Sequence, residues 1–208
     1  MIGIIDYGVG NVGSILNMLK HISVDAFLAK TPSDIEKATK LILPGVGSFD
    51  YGMTLLNESG LREVVDKKVI ADNLPVLGIC LGMQMMTRGS EEGTLSGLNW
   101  INGNCIKFKF DDDLKNIRIP HMGWNDIHVQ KDNDSFFPMI NNELQFYFAH
   151  SYHLICNNDI VTATCKYGYE FPVAFHQDNI FGAQFHPEKS HQFGMNFLMA
   201  FAKYCTAD

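Results

Sequence analysis

Several kinds of sequence feature are missing from this chain, and each absence excludes a class of protein. No stretch approaches the roughly 20 apolar residues that a membrane-spanning helix needs. The first residues carry no basic segment ahead of an apolar one, so no secretory signal is predicted and a cytoplasmic protein is expected. Positive charge is scarce, and the net charge of -7 disfavours binding along a nucleic-acid backbone. We expect neither a membrane nor a nucleic acid as a partner.

The cysteines lack the spacing of a structural or metal-binding framework. There are five of them and no Cys-x-x-Cys pair, which suits neither a set of disulfides nor a zinc ribbon. Cys105, Cys156 and Cys165 lie in apolar, strand-like segments and Cys205 ends a predicted helix, so these four are predicted to be reduced and packed as small hydrophobic residues. No metal site is expected. Cys80 has a different setting and is considered below.

The chain is rich in hydrophobic residues and long enough to bury a large core. Its 208 residues, 46% of them hydrophobic and 19% charged, predict one soluble globular domain over residues 1–208. Short apolar runs and helical patterns alternate in the first half. Buried strands are predicted at 2–6, 25–29, 40–44 and 75–79, and helices from 12, from 31, over 61–71 and from 83. This alternation is typical of a parallel sheet with helices on both faces.

The second half has a different pattern. From about residue 98 onward, short alternating segments cover 105–110, 146–149, 160–165, 173–175 and 180–183. They predict antiparallel strands added to one edge of the sheet. An amphipathic helix is predicted over 193–204. The predicted fold class is therefore α/β, with a mostly parallel sheet flanked by helices and an antiparallel extension.

Cys80 lies between two glycines, at the end of the predicted strand 75–79. In Gly78-Ile79-Cys80-Leu81-Gly82 the glycines permit a tight turn, and a following helix would direct its N–H groups towards the sulfur, which favours the reactive thiolate. The backbone N–H of Leu81 would face a developing oxyanion. Taken alone, the motif fits a catalytic nucleophile and a buried structural cysteine about equally.

A histidine and a glutamate stand two residues apart near the end of the chain. In His186-Pro187-Glu188 an extended backbone would place both side chains on the same side, and the proline stiffens it. His186 could then take a proton from a thiol and return it to a leaving group, while Glu188 orients the imidazole. For an isolated segment a surface pair is the simpler interpretation, and a zinc site lacks a third ligand at suitable spacing.

Three further features have simpler alternatives. The glycines of Pro44-Gly45-Val46-Gly47 free backbone N–H groups to reach a substrate oxygen, with an ordinary turn as the alternative. Residues 8–13 match G-x-G-x-x-G, but the second predicted strand ends without the acidic residue that would hold a ribose, so no dinucleotide cofactor is expected. His121, His150 and His153 are interpreted as local hydrogen-bonding groups rather than as bases.

Taken together, the motifs resemble those of a known family. The segments GICLGMQ at 78–84 and QFHPEKS at 184–190 are similar to the catalytic motifs of the class I glutamine amidotransferases. With DYGVGN at 6–11, PGVGSF at 44–49, PHMGWN at 120–125 and HSY at 150–152, the chain resembles one branch of that family, the glutaminase subunits of imidazole glycerol phosphate synthases. The resemblance runs from end to end of the chain.

The resemblance implies a reaction and a set of site residues. Glutamine is hydrolysed to glutamate and ammonia by a catalytic triad of Cys80, His186 and Glu188, with an oxyanion hole formed by the N–H groups of Val46 and Leu81. Glutamine-binding contacts are implied for Gly47, Gln84, Ser151 and Tyr152, and contacts with a partner subunit for Asn11 and Lys189. No cofactor takes part.

The resemblance also implies a partner and a mode of regulation. In this branch the ammonia passes to a (β/α)8-barrel cyclase subunit of a heterodimer, which makes imidazole glycerol phosphate and aminoimidazole carboxamide ribotide in histidine biosynthesis. In the family the peptide at Val46 can turn a carbonyl where the oxyanion N–H should be, and the flanking Gly45 and Gly47 would permit that flip at low steric cost. The isolated chain is therefore predicted to be a weak glutaminase that its partner activates.

Three alternatives stay open on the sequence. Paralogues of the same branch supply ammonia to enzymes that build amidino sugars for surface polysaccharides, and the stretch 188–195 is closer to that subgroup. A γ-glutamyl peptidase of similar fold also pairs a cysteine with a histidine, but it would not need the motifs at 120–125 and 186–190. A non-catalytic binding subunit is disfavoured by the intact triad.

Overall fold

The computed structural model describes residues 1–111, 117–130 and 144–204. Within these ranges the strands are Ile2–Ile5 (β1), Ala26–Ala29 (β2), Lys40–Gly45 (β3), Val76–Cys80 (β4), Gly103–Lys107 (β5), His121–Val129 (β6), Leu144–His150 (β7), Tyr152–Cys156 (β8), Val161–Tyr167 (β9), Tyr169–Gln177 (β10) and Ile180–Ala183 (β11). The α-helices are Val12–His21 (α1), Pro32–Lys37 (α2), Phe49–Glu58 (α3), Arg62–Asp66 (α4), Leu81–Met85 (α5) and His191–Lys203 (α6). A π-helical turn, Lys67–Ala71, continues α4, and 3-10 turns cover Asn158–Ile160 and Pro187–Lys189.

Nine of the strands in the described ranges form one mixed sheet, in the order β2-β1-β3-β4-β11-β10-β9-β6-β7. The first five are parallel to one another. The remaining strands join by antiparallel pairing, beginning with β10 against β11. Strands β5 and β8 form a separate antiparallel pair. The predicted fold class is confirmed, and the antiparallel extension is nearly as large as the parallel part.

Helices cover both faces of the sheet, as predicted. One apolar cluster packs α1 and α6 against the strands, through side chains that include Ile15, Leu19 and Phe197. The other cluster packs the helices α2 to α5 on the opposite face, through side chains that include Ile35, Met53 and Leu81. Because both faces are covered, the four residues of β1 are all buried and form a continuous apolar run. No helix of the described ranges is both long enough and apolar enough to cross a lipid bilayer.

The start of α2 follows directly from local sequence. The Thr31 side chain accepts a hydrogen bond from the Asp34 backbone N–H, and the Asp34 carboxylate accepts one from the Thr31 backbone N–H. This capping box satisfies two N–H groups that the first turn of a helix leaves without partners. Pro32 occupies the first helical position, where its missing N–H costs nothing. The helix predicted from residue 31 is thus confirmed, with Thr31 as its N-cap.

Two segments predicted as antiparallel strands at the edge of the main sheet have other positions in the structure. Residues 180–183 form the fifth parallel strand, because β11 pairs in parallel with β4 on one edge while it pairs antiparallel with β10 on the other. The segment predicted at 105–110 contributes β5, which pairs with β8 outside the main sheet. In both cases the decisive partner is distant in sequence, so the local pattern predicted a strand but not its neighbour.

Some helix and strand bounds also differ from the predictions. The helix after Cys80 begins at Leu81 rather than at 83, because the backbone of Cys80 makes the whole turn by itself. Helix α3 and strand β6 were not predicted, and β8 was indicated only by the strand-like setting of Cys156. Of the cysteines, Cys205 lies outside the described residues. The other four are free thiols, as predicted, and burial raises the pKa of Cys105, Cys156 and Cys165 to between about 11 and about 12.

Candidate active site

The sulfur of Cys80 is presented at a sharp corner between β4 and α5. Cys80 is the last residue of the strand, and the helix begins at the next residue. Its backbone angles are φ 52° and ψ -111°, an arrangement that costs a residue with a side chain roughly 1–3 kcal/mol. Strain of this kind is typical of a nucleophile held on a strand-to-helix turn. The tight turn predicted from the glycines of segment 78–82 agrees with this geometry.

The glycines around the elbow allow backbone segments to approach closely. A Cβ added to Gly82 would lie 1.9 Å from the Leu43 carbonyl oxygen, and one added to Gly45 would lie 2.7 Å from the Gly82 nitrogen. Strand β3 therefore packs directly against the first turn of α5. Any side chain at Gly82 would force the two backbones apart and move Cys80.

His186 and Glu188 come together in the turn after β11. His186 Nδ1 and Glu188 Oε1 are 2.9 Å apart, and both side chains are almost fully buried. Because Nδ1 is engaged with the carboxylate, Nε2 is the nitrogen that can exchange a proton with the Cys80 sulfur. The structure therefore brings the thiol, the imidazole and the carboxylate together, and their catalytic roles stay predictions.

The charges of this group stabilise one another. Burial by itself would lower the pKa of His186, but the negative sulfur of Cys80 and the carboxylate of Glu188 outweigh it and raise that pKa to about 10. Burial would likewise raise the pKa of Glu188, yet hydrogen bonding to His186 and the charge of His186 hold it below its usual value. The arrangement therefore favours a protonated imidazole paired with the Glu188 carboxylate.

Ser190 holds the turn that carries His186 and Glu188. Its hydroxyl donates to the His186 carbonyl at 2.6 Å and accepts from the Tyr147 backbone N–H at 3.0 Å. The His186 backbone N–H in turn donates to the Tyr147 carbonyl at 2.9 Å. Sequence reasoning quoted Ser190 within the motif but gave it no role. The available signal was a hydroxyl residue placed two positions after Glu188, where it can bond the backbone of the turn.

Asn11 lies closer to the reacting groups than expected. Its side-chain Nδ2 donates to Glu188 Oε1 at 2.8 Å, so the carboxylate oxygen that faces His186 also receives this amide. The resemblance implied only a contact between Asn11 and a partner subunit, and that role stays a prediction. Lys189, the second such residue, is exposed, and its ammonium lies 5.4 Å from the centre of the Tyr147 ring.

A cavity of about 380 Å³ opens beside Cys80. Its lining includes every residue assigned to the oxyanion hole and to glutamine binding, which are Val46, Leu81, Gly47, Gln84, Ser151 and Tyr152. Cys80, His186 and Lys189 also line it. The volume is in the range of small-molecule sites. The structure therefore brings the predicted binding residues and the nucleophile to one cavity.

Two glutamine side chains link the cavity wall to the sulfur. Gln84 Nε2 donates to the Tyr152 carbonyl at 3.1 Å and to Gln184 Oε1 at 3.0 Å. Gln184 Nε2 then donates towards Cys80 Sγ at 3.7 Å. Gln184 is fully buried and received no role from the sequence, although it opens the QFHPEKS motif. The available signal in the sequence was the amide side chain of Gln184, two residues before His186 and so on the same side of an extended segment.

Glu92 is a third residue to which sequence reasoning assigned no role. It lines the cavity, and its Oε2 accepts a hydrogen bond from the Phe49 backbone N–H at 2.8 Å. Burial raises the pKa of this carboxyl. Glu92 lies outside all the quoted motifs, so only the fold brings it to the wall.

The segment around Val46 has one left-handed residue. Gly47 has φ 94°, which a side chain would disfavour, whereas Gly45 is tightly packed against Leu81 and Gly82. The preceding Pro44 carbonyl accepts a hydrogen bond from the Tyr7 hydroxyl at 2.8 Å. Gly45 is thus closely packed in this conformation, and the flip of the peptide at Val46 stays a prediction.

No group of three or more His, Cys, Asp or Glu side chains in the described part of the chain is placed to hold a metal ion. The chemistry available at the cavity is that of a buried cysteine, an imidazole and a carboxylate. These groups can transfer an acyl group through a thioester.

Comparison with known proteins identifies the class to which this fold and site belong. The family model described as Glutamine amidotransferase class-I matches residues 3–203. The chain therefore belongs to the class I glutamine amidotransferase family, and it has the expected fold of that family. Solved structures agree on the fold: a chain of PurLQS from Thermotoga maritima has a TM-score of 0.68 at 17% identity, over 96% of each chain. A glutamine amidotransferase from the same organism has a TM-score of 0.61 at 16% identity, over 96% of this chain and 81% of that one.

Curated relatives share much more of the sequence. The chain is 52% identical to a Methanococcus maripaludis protein named imidazole glycerol phosphate synthase subunit HisH 2, over 98% of this chain and 99% of the relative. A Pseudomonas aeruginosa protein of the same name is 47% identical, with the same coverage. A Bdellovibrio bacteriovorus protein named imidazole glycerol phosphate synthase subunit HisH is 45% identical, over 98% of this chain and 100% of the relative.

Proposed function

We propose that this chain is the glutaminase subunit of an imidazole glycerol phosphate synthase, and that Cys80, His186 and Glu188 are its catalytic triad. The observation that carries the proposal is the buried row of sulfur, imidazole and carboxylate at the cavity, with Nδ1 of His186 held 2.9 Å from Glu188. The relatives named HisH supply the pathway. Residues 1–208 act as one catalytic domain of a cytoplasmic enzyme.

In the first half of the reaction the Cys80 thiolate attacks the side-chain amide carbon of glutamine. The negative charge that develops on the amide oxygen is stabilised by the backbone N–H groups of Val46 and Leu81. The protonated His186 gives its Nε2 proton to the amide nitrogen as the carbon–nitrogen bond breaks. Ammonia leaves, and a thioester joins the glutamyl group to Cys80.

In the second half, neutral His186 removes a proton from water, and the resulting hydroxide attacks the thioester carbon. The carbon–sulfur bond breaks, glutamate leaves, and the thiolate and imidazolium return to their initial state. Glu188 keeps the imidazole in the tautomer that presents Nε2 to the reacting atoms. One water molecule is consumed for each ammonia released.

The cavity wall provides groups for the rest of the substrate. Gly47, Gln84, Ser151 and Tyr152 are the proposed contacts for glutamine, and all of them line the cavity. Glu92 adds a carboxylate to the same wall, which suits the α-ammonium group of an amino acid. The ammonium of Lys189 lies at the rim of the cavity as an exposed side chain.

The proposed partner is a (β/α)8-barrel cyclase subunit that receives the ammonia in a heterodimer. Asn11 and Lys189 are the proposed contacts with it. Because Asn11 also donates to Glu188 at 2.8 Å, a partner that moves this amide would alter the carboxylate that orients His186. A flip of the Gly45–Val46 peptide, which carries the Val46 N–H, is the second proposed means of control, and glycines stand on both sides of Val46.

The alternative functions are not favoured by the relatives. None of the three relatives described above is named as an enzyme of amidino-sugar synthesis or as a γ-glutamyl peptidase. A non-catalytic subunit would not need the strained backbone of Cys80 or the burial of His186. The histidine pathway is therefore the function that the observations support best.

The direct test is the rate of glutamate formation by the chain alone and in the presence of the barrel subunit with its acceptor ligand. Since one oxyanion donor typically contributes about 10²–10³ in rate, we expect activation of that order on partner binding. Equal rates in both conditions at saturating glutamine would exclude gating by the partner. Absence of glutamate in both conditions, with a correctly folded chain, would overturn the proposed function.

A further inference from the structure

Two histidines that the mechanism does not use meet inside the protein. The PHMGWN segment supplies β6 and the HSY segment ends β7, and the register of these strands places His121 opposite His150. His121 Nδ1 and His150 Nε2 are 3.0 Å apart, and both rings are buried. Two imidazoles at this distance form a hydrogen bond when one ring nitrogen donates its hydrogen and the other accepts it.

The hydrogen bond between His150 and the Tyr152 carbonyl, next to the cavity, shows which nitrogen of each ring carries a hydrogen. His150 Nδ1 lies 2.8 Å from the Tyr152 carbonyl oxygen. A carbonyl oxygen can only accept, so Nδ1 of His150 carries the hydrogen. In a neutral ring Nε2 of His150 is then an acceptor, and the hydrogen between the two rings belongs to Nδ1 of His121.

The opposite end of the chain of hydrogen bonds leads to the same assignment. Asn125 Oδ1 accepts from the Asp126 backbone N–H at 2.9 Å, and Nδ2 donates to the Lys166 carbonyl at 3.2 Å, so the orientation of the amide is fixed. The same Nδ2 lies 3.1 Å from His121 Nε2 and donates to it. Nε2 of His121 is therefore an acceptor and Nδ1 its donor, as the first assignment requires.

The surroundings keep both rings neutral and in place. The His121 ring stacks between Phe148 and Tyr167, with centroid distances of 4.6 and 4.1 Å. Burial lowers the pKa of His121 to about 4 and that of His150 to about 3. A second proton on either ring would place two donors against each other or against the Asn125 amide. The hydrogen bonds therefore run in one direction, from Asn125 to His121, His150 and the Tyr152 carbonyl.

The Tyr152 carbonyl joins these hydrogen bonds to the substrate cavity. Its oxygen accepts from His150 Nδ1 and from Gln84 Nε2, which occupies both of its lone pairs. Gln84 and Tyr152 line the cavity, and Gln84 continues through Gln184 towards the Cys80 sulfur. The histidine pair thus holds one wall of the cavity by a fixed hydrogen bond.

We propose that His121 and His150 are positioning residues for glutamine, which act by fixing the Tyr152 carbonyl and, through it, the side chain of Gln84. His150 itself lines the cavity, whereas His121 lies behind it and acts only through His150. The inference depends on the proposed glutaminase function for its kinetic readout, while the proton positions are properties of the folded chain itself.

A pair of variants at one position separates this role from simple packing. His150→Asn keeps an amide N–H at the place of Nδ1 and so keeps the donor to Tyr152, but it loses the acceptor for His121. His150→Gln keeps an acceptor at the place of Nε2 but loses the donor to Tyr152. A third variant, His153→Gln, is the matched control, since His153 is equally buried against the same Phe108 ring and bonds Tyr169 instead.

The measurement is steady-state glutaminase kinetics of the complex with the barrel subunit, in the presence of its acceptor ligand. We expect KM for glutamine to rise about tenfold in His150→Gln, to change less than about threefold in His150→Asn, and to stay unchanged in His153→Gln. The fall in kcat should be smaller than the rise in KM. A KM for His150→Gln equal to or below that of His150→Asn would overturn the proposal.

An NMR measurement on the unmodified chain tests the proton positions without any turnover. The ¹⁵N shifts of the imidazoles at neutral pH should show Nδ1-protonated, neutral rings for both His121 and His150. An Nε2-protonated His150 would overturn the proposal, whatever the kinetics. If the unmodified complex makes no glutamate but the tautomers are as expected, the proposed function fails while the row of hydrogen bonds stands.

Discussion

The parallel and antiparallel halves of the main sheet each place buried histidines beside the cavity, and the two sites have opposite electrostatics. After the last parallel strand, His186 lies between the Cys80 sulfur and the Glu188 carboxylate, and its pKa is raised to about 10. On the antiparallel strands, His121 and His150 have pKa values lowered to about 4 and about 3. All three rings are similarly buried.

The difference shows that burial alone does not decide the protonation of these rings. Burial disfavours the charged imidazole at both sites, but only His186 has anionic partners that outweigh it. The histidine pair has an amide, a carbonyl and each other as hydrogen-bond partners. The parallel half therefore holds the ionised group that chemistry needs, and the antiparallel half holds neutral groups that fix geometry.

The largest effect is expected at the nucleophile. Cys80→Ser should lower glutamine-dependent synthesis by on the order of 10³-fold or more, because the hydroxyl is a far weaker nucleophile than the thiolate. Synthesis from added ammonium salts by the complex should persist, since the partner's chemistry is untouched. If this variant formed glutamate at close to the parental rate, Cys80 would not be the nucleophile.

The second effect concerns the two groups beside the sulfur. His186→Ala should lower kcat more than Glu188→Gln, because the imidazole transfers protons and the carboxylate orients it. The double variant should be little worse than His186→Ala alone, since residues that act as a unit do not lose activity additively. Losses that add strictly in the measured kcat values would argue against one shared triad.

Close backbone packing in the parallel half gives a prediction on stability. Gly82→Ala should lower the free energy of unfolding by several kcal/mol, since the new Cβ would lie 1.9 Å from the Leu43 carbonyl oxygen. The matched control is Gly13→Ala in α1, where nothing lies within 4 Å and a gain of about 0.5–1 kcal/mol is expected. Urea unfolding of the isolated chain measures both. If Gly82→Ala had the same free energy of unfolding as the parental chain, β3 and α5 could move apart at no cost, and this account of the packing would be wrong.

The pH dependence of stability should have opposite signs at the two histidine sites. Below pH 6.5 the unfolded chain protonates His121 and His150 while the folded chain does not, so their contribution to stability falls as the pH drops towards about 4. The contribution of His186 is present below pH 6.5 and is lost as the pH rises towards about 10.

Urea unfolding at pH 4.5, 7 and 9.5 would separate these contributions. The double variant His121→Asn, His150→Asn should lose about 5 kcal/mol less than the parental chain between pH 7 and 4.5. His186→Ala should leave the loss of stability between pH 7 and 4.5 unchanged and reduce the loss between pH 7 and 9.5. An acidic slope that the double variant does not alter would contradict the neutral state of the histidine pair.

The parallel half was largely predictable because its signals are local. Continuous apolar runs predicted its buried strands, Gly78 and Gly82 around Cys80 predicted a tight corner, and the spacing of His186 and Glu188 predicted a shared side. The corner itself was sharper than predicted, because one left-handed residue makes the whole turn and α5 begins at once. The residues of the proposed triad come together because β11 lies in parallel beside β4.

The antiparallel half was less predictable because its function depends on register. His121 and His150 are 29 residues apart, and only the pairing of β6 with β7 brings their rings together. The sequence supported the interpretation of these residues as hydrogen-bonding groups, which the structure confirms. Glu92 and the donor role of Asn11 towards Glu188 also depend on tertiary contacts that local patterns do not contain.

Every step of the proposed reaction depends on Cys80 being the nucleophile that glutamine meets in this cavity. This can be measured by treating the complex with a glutamine analogue that carries a diazoketone in place of the amide, and mapping the adduct by peptide mass spectrometry. We expect one adduct per chain, on Cys80, with glutamine protecting against it. Labelling of another cysteine, or no labelling of Cys80 in a complex that still hydrolyses glutamine, would contradict the assignment of the nucleophile.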